Sequence, residues 1–283
     1  MDSLNVLFWN IGKKDVAEEV VALALQHHTD VLVLIENTIP VNELLLRLNE
    51  SGNRYFFCKS NVRGISIYTS FNSASFEWKD TGSAFVALVE FNLLRKKMLF
   101  GAVHLPSKLT AGSAAHHAFV VRHVRKEIEA VEQQSGHSNT ILVGDFNMNP
   151  FEEGMVQPDA FNAAMCRQIA GNYRRSVSGL GTGGSVGYKY FYNPMWSFLG
   201  DLSRFRPGTY YYYANDFNND YRWNMLDQVL IRPDLIPNFV SDDLRIFDKD
   251  AKGRMLIDAT RKSRSKAQVF DHLPVFFTLD LTK

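Results

Sequence analysis

A chain of 283 residues, 46% hydrophobic and 13% aromatic, holds enough apolar material for a large core, and it has no uninterrupted apolar run of bilayer length. A formal net charge of +1 excludes a protein that attracts polyanions through its overall charge. The opening MDSLNVLFWN has an acid at Asp2 and no basic lead, and Cys58 and Cys166 lack metal-ligand spacing. The expectation is a cytoplasmic protein with two plain thiols and no secretory signal.

Residues 4–9 are apolar β-formers and predict a strand. Residues 14–28 carry Val16, Val20, Leu23 and Ala24 at helical spacing, and Thr29-Asp30 then breaks into a second buried strand, 31–35. Pro40 starts a helix containing Val41, Leu44, Leu45 and Leu48. Strands are predicted over 55–58, 64–69, 75–78, 84–91 and 97–105, several alternating as antiparallel strands with one covered face do. A long helix over 111–134 follows, its face read as Ala115, Phe119, Val120, Val124, Ile128 and Val131. After the strand ILVGDFN (141–147), a short helical region is expected over 158–169 and a long, weakly periodic loop over 175–207. Strands over 210–213, 225–231 and 273–281 complete the chain. No repeat, linker or composition break appears, so one domain over 1–283 is expected.

ILVGDFN is the most informative stretch. Gly144 is read as permitting a tight exit from a buried strand, after which Asp145 and Asn147, two residues apart, face one site. A carboxylate beside an amide suits holding a hard cation through oxygen, or orienting a water or phosphate oxygen. Turn chemistry alone is the other reading of Gly-Asp. Further polar groups sit at strand ends: Asn10, Glu36, His104, Asp227 and Asp271-His272. Taken singly, His104 reads as a core histidine and Glu36 as a helix-start carboxylate. Eight such residues in one layered protein point instead to a shared site.

The stretches LFWNI, VLVLIEN, GAVHLP, ILVGDFNMNP, MLDQVLI and DHLPV, in this order, resemble the endonuclease/exonuclease/phosphatase superfamily, which has the deoxyribonuclease I-like fold. The resemblance implies an α/β (α+β) four-layer sandwich, with two mixed sheets face to face and helices outside. It implies Glu36 as principal ligand of Mg²⁺ or Mn²⁺, with Asn10 and Asp271 close by. Asp145 would take a proton from the attacking water, and Asn147 would orient that water or a phosphate oxygen. His272 would donate to the phosphate while Asp227 holds its ring, and His104 would be a second phosphate contact. Three departures stand out: Phe270 where many members carry Ser, Asn37-Thr38 after Glu36, and His104 in a V-H-L-P setting. The last looks more like the deoxyribonuclease I, sphingomyelinase and phosphatase branches than the abasic-site enzymes.

For substrate, the candidates are Arg63, Tyr211, Trp223, Arg261, Lys262 and Arg264. Tyr210 to Tyr213 is a run of four tyrosines, of which alternate rings would face a cleft and could stack on unpaired bases. The segment 249–266 has seven basic residues against two acids, a local +5, and reads as a phosphate-contacting rim or a solvated face. The leading expectation is a metal-dependent nuclease hydrolysing DNA by in-line attack of water, with no obligate protein partner. The alternatives are a phosphatase or phosphodiesterase of a small or lipid phosphoester, and a degenerate binding module.

Overall fold

Strands buried on both faces pair in parallel with a helix between them, because the crossover must cover a face. β1 (Ser3–Asn10) and β2 (Val31–Ile35) do this around α1 (Ala17–Gln26), in a register running from Val6↔Val31 to Asn10↔Ile35. α2 (Val41–Asn49), β3 (Phe56–Cys58) and β4 (Ile65–Thr69) follow. The computed structural model describes residues 2–50, 52–93, 96–107, 114–178, 184–200, 206–213, 222–257 and 270–283. β5 (Phe76–Lys79), β6 (Val86–Leu93) and β7 (Lys96–His104) form an antiparallel meander, and α3 (Ala114–Ser135) returns the chain so that β8 (Thr140–Asp145) lies parallel to β7.

The rest is made of short pieces: α4 (Glu153–Val156), β9 (Ala163–Ala164), α5 (Arg167–Ala170), the hairpin β10 (Arg174–Ser178) and β11 (Ser185–Lys189), then β12 (Phe191–Tyr192), β13 (Tyr210–Tyr211) and β14 (Trp223–Asn224). β15 (Asp227–Ile231), β16 (Phe239–Ile246) and β17 (Val275–Asp280) close the sheets. A six-stranded mixed sheet has the order β16-β17-β1-β2-β4-β3, and a seven-stranded mixed sheet the order β5-β6-β7-β8-β15-β12-β9.

The sheets share one core. Ala87, Val89, Phe100, Ala102, Ile141, Val143 and Val229 of the second sheet cluster with Phe8, Leu34 and Ile67 of the first. Residues one step out of phase, Val86, Leu88, Val103, Leu142 and Leu230, join a second cluster under Val120, Val121, Val124 and Ile128 of α3. Period-2 alternation fixes the consequence: His104, Asp145 and Asp227 are in phase with the inward residues, so the polar ends of three strands point between the sheets.

Four expectations need correction. The stretch expected to be helical over 158–169 holds β9 and the start of α5, because Ala163-Ala164 pairs with β12. Within 175–207 lie a hairpin and β12; the hairpin has exposed residues on both faces, so it leaves no apolar period to read. β16 was unforeseen, since its FVSDDLRI is an edge strand with a register shift between Val240 and Arg245. Phe119 is 65% exposed, and Val121 takes the place assigned to it on the buried face of α3. Among the described residues, no helix is long and apolar enough to cross a membrane.

Candidate active site

The register of the second sheet puts three polar side chains in a row: His104 lies beside Asp145, and Asp145 beside Asp227. Gly144 contributes by closeness, not by a turn. A Cβ there would fall 1.9 Å from the Val103 carbonyl oxygen, so only glycine lets β7 and β8 approach this way. From the facing sheet, β1 ends at Asn10 and β2 is followed by Glu36. Asn10 Nδ2 donates to Asp145 Oδ2 at 3.0 Å and ties the two sheets together across the site. Asp271 and His272 enter just before β17, held by the backbone. Trp9 Nε1 donates to the His272 carbonyl at 3.1 Å, and the Tyr211 N–H donates to the Asp271 carbonyl at 2.8 Å.

Glu36 and Asn147 both have φ of 51°, in the left-handed region that side chains other than glycine rarely adopt. Such residues cost about 1–3 kcal/mol each and persist where surrounding contacts over-determine them. The Asn147 N–H donates to Asp145 Oδ1 at 2.9 Å and its Nδ2 to the Leu105 carbonyl at 2.8 Å. The Glu36 carbonyl accepts from the Lys13 N–H at 2.9 Å.

His272 Nδ1 lies 2.8 Å from Asp227 Oδ2, and its Nε2 lies 3.9 Å from Asp145 Oδ2. Burial alone would lower the imidazole's pKa, but the carboxylates of Asp227, Asp145 and Glu36 outweigh it and hold His272 above its ordinary value. Asp145 is pushed up to about 7, by burial first and by the charge of Asp227; His272, the Asn147 N–H and Asn10 oppose the rise. His104 is lowered by burial, with Glu36 opposing, and its Nε2 is 3.8 Å from Glu36 Oε1. Asp227 Oδ1 is buried without a hydrogen-bond partner among the described residues.

Glu36, His104, Asp145, Asn147, Asp271 and His272 line a cleft of about 540 Å³, with Phe85, Asn149, Tyr210 and Tyr212 on its other walls. Asn149 braces it: its Nδ2 donates to Asn224 Oδ1 at 2.9 Å and its Oδ1 accepts from the Met225 N–H at 2.8 Å. The tyrosine run alternates as a strand requires, but in the opposite phase to the one expected. Tyr211 and Tyr213 are 6% and 5% exposed and pack edge-on at 4.8 Å, while Tyr210 and Tyr212 line the cleft. Tyr210 places its ring 4.7 Å from that of His272. Tyr211 is thus a core residue, and Trp223 packs against it at 5.0 Å outside the cleft lining.

Arg63 is exposed and does not line the cleft. Arg261, Lys262 and Arg264, with Lys266, lie outside the described residues. In the described part of that basic run, Arg254 pairs with Asp250 at 2.6 Å and Glu19 at 3.2 Å, and Lys252 approaches Glu18 at 3.9 Å. Sequence reasoning missed Asn149, Tyr210 and Tyr212 as cleft residues. Asn149 was visible in GDFNMNP, and the tyrosine run announced an alternating pair without its phase.

Two donor sets bear on a metal. Glu36, Asn10 and Asp271 offer oxygen only, which suits a hard cation. In the structure ammonium groups stand against both carboxylates, Lys13 Nζ at 4.0 Å from Glu36 and Lys14 Nζ at 3.5 Å from Asp271. Asp145, Asp227 and His272 form the second set, with ligand atoms within 4.8 Å of one another. Filling it would compete with the short Asp227–His272 contact.

A model of the Endonuclease/Exonuclease/phosphatase family matches residues 4–245. Among solved structures, the endonuclease domain of TRAS1, a telomere-specific non-LTR retrotransposon, aligns with a TM-score of 0.52 at 13% identity, over 99% of this chain and 100% of that one. TDP2 of D. rerio complexed with single strand DNA product aligns at 0.55 and 13%, over 99% of both chains. Humanized D. rerio TDP2 gives 0.52 and 15%, again over 99% of both. At these identities the likeness is one of fold. No curated protein matches the sequence.

Proposed function

The chain belongs to the Endonuclease/Exonuclease/phosphatase family, and from that premise we propose that it is a divalent-metal-dependent phosphodiesterase hydrolysing nucleic acid, DNA foremost, as one catalytic domain. One observation carries the reading. An Asp227–His272 pair faces Asp145 across 3.9 Å at the end of a cleft whose polar wall includes Glu36 and Asp271, with Asn10 bonded to Asp145 behind it.

Asp145, raised by burial, is the group that takes the proton of the attacking water, since a base works best with a pKa near the working pH. Asn147, fixed by Leu105, orients that water or a phosphate oxygen. His272 presents Nε2 to the phosphate, and Asp227 fixes its ring and favours its charged form. His104, facing the same cleft, contacts a second phosphate oxygen. Glu36, Asn10 and Asp271 are the residues that would hold Mg²⁺ or Mn²⁺, which when bound neutralises phosphate charge and polarises its oxygens.

Support for a nucleic-acid substrate comes from the aromatic wall and from D. rerio TDP2, solved with a single-strand DNA product. A small or lipid phosphoester is the second reading, favoured by the net charge of +1 and by the engagement of Lys252 and Arg254 with acids. Against the third, a degenerate binding module, all the expected metal and proton-transfer residues are present.

Purified protein with Mg²⁺ or Mn²⁺ is to be assayed on single- and double-stranded DNA, RNA, abasic DNA and small phosphomonoesters, with Asp145→Asn as control. Cleavage of DNA, abolished by chelation and by the control, is expected; Glu36→Gln should raise the metal concentration required. Full turnover in excess chelator would overturn the metal reading. Turnover confined to phosphomonoesters would put the second reading first.

A further inference from the structure

A second cavity, of about 660 Å³, opens between α3 and the β10–β11 hairpin. It borders Ser138, just ahead of β8, whereas the catalytic cleft lies past the other end of that strand at Asp145. Roughly 17 Å of extended chain separates the two ends of β8.

The cavity's charges are unequal. Its glutamates are taken up internally: Arg232 and Lys189 reach Glu132 at 2.7 and 3.0 Å, and Arg125 reaches Glu129 at 2.7 Å. Burial pushes Glu132 upward, yet Arg232 and Lys189 hold it below the ordinary carboxylate range. Lys126 and Arg174 line the same space, both exposed, and neither side chain has a hydrogen-bond or ion-pair partner among the described residues. Arg174 stands directly opposite Lys189 across the hairpin. Glu132 already engages Lys189, so Arg174 is the cation of this pair left to meet an anion. Tyr188, which also lines the cavity, has the Arg125 guanidinium 5.2 Å from its ring centroid.

We propose that this cavity is a second ligand site for a nucleoside phosphate, the phosphate held between Lys126 and Arg174 and the base lying against Tyr188. The volume is that of small-molecule sites, the unpaired cations suit a phosphate, and a half-buried aromatic ring suits a base. A free mononucleotide and the 5′-phosphorylated end of a strand present the same chemistry. The inference rests on this cavity alone and does not depend on the catalytic assignment.

Calorimetric titration in the presence of chelator, so that the cleft does not consume the probe, tests it. The probes are adenosine 5′-monophosphate against adenosine, and a 5′-phosphorylated short oligonucleotide against its unphosphorylated form. At least one phosphorylated probe should bind more tightly than its counterpart. Binding by both points to a free nucleotide, and binding by the oligonucleotide alone to a strand end. Replacing Lys126 and Arg174 by Ala, both on the surface and away from the core, should weaken that binding about tenfold or more for each charge lost, with the thermal midpoint kept. Hydrogen exchange in β11 should slow on binding. If no phosphorylated probe outbinds its counterpart, or if the double variant binds as the parent does, the proposal fails.

Discussion

Asp145 Oδ2 and His272 Nε2 stand 3.9 Å apart while Nδ1 of the same ring lies 2.8 Å from Asp227 Oδ2. The shorter distance is a hydrogen bond and the longer is not. One ring nitrogen is therefore committed to a buried carboxylate, and the other is aimed at a space bounded by a second carboxylate. Asp145 and Asp227 are themselves register partners on β8 and β15, so sheet pairing sets the spacing of the whole group.

If Asp227 acts through His272, the two behave as one unit. Asp227→Asn and His272→Ala should each lower kcat/KM by several orders of magnitude, and the double variant should lose little more, because residues acting together are not additive. The check is a double-mutant cycle on the substrate selected by the panel. Losses that add in log rate would mean two separate tasks.

The tyrosine run gives a prediction with two opposite arms. Tyr212 lines the cleft and Tyr211 is in the core. Tyr212→Ala should raise KM for single-stranded DNA by an amount equal to about 1–3 kcal/mol, the worth of one stacked base, and spare a small aryl phosphodiester. Tyr211→Ala should instead lower stability by about 3–5 kcal/mol, in line with other large aromatic truncations in cores. Denaturant midpoints and KM values measured on both variants decide it; an unchanged KM for Tyr212→Ala on every substrate would remove the stacking role.

What the sequence disclosed follows from how local each signal is. β2 lies where its run of five apolar residues put it, because a strand buried on both faces has no ambiguity of phase. The polar groups at strand ends were legible for a related reason: Asn10, Glu36 and Asp145 interrupt runs that otherwise leave no room for polarity. Phase and partnership were not legible. Nothing within YYYY distinguishes Tyr210 and Tyr212 from Tyr211 and Tyr213 until the bridge between Tyr210 and His272 fixes the strand. Likewise Arg254 and Lys252 read as candidates for a phosphate rim; Arg254 is held by Asp250 four residues back, but the partners across the fold, Glu19 and Glu18, are more than two hundred residues away in sequence. The edge strand β16 escaped because one of its sides has no neighbour to demand an apolar pattern.

A stability prediction follows from the Glu132–Arg232 pair, which is completely buried. Arg232 Nε donates to Glu132 Oε1 at 2.7 Å, and its guanidinium lies 3.8 Å from the Phe191 ring centroid. Glu132→Gln leaves that cation with only the more distant Glu129, at 3.7 Å, and should cost about 3–5 kcal/mol. The pH dependence has a definite sign. Although burial raises it, the net folded pKa of Glu132 is below the unfolded 4.5, so the contribution is present above that value and is lost as pH falls through the folded pKa. Calorimetric midpoints of parent and variant should therefore converge on acidification. A gap that widens as pH falls would contradict the assignment.

The last prediction joins fold to site through Gly144. Its φ is not positive, so its need is steric: a Cβ would sit 1.9 Å from the Val103 carbonyl oxygen and 2.7 Å from Val103 N. Backbone atoms cannot swing aside as a side chain can, so Gly144→Ala must push β7 away from β8. That shift separates His104 from Asp145, its register partner one residue further along. The variant should lose several kcal/mol of stability, at the upper end of what single substitutions do. Where it still folds, at low temperature, activity should fall further than the folded fraction alone accounts for. Circular dichroism and turnover measured on the same samples separate the two effects. A Gly144→Ala protein with parental midpoint and parental kcat would show that the close approach of β7 and β8 has no part in building the site.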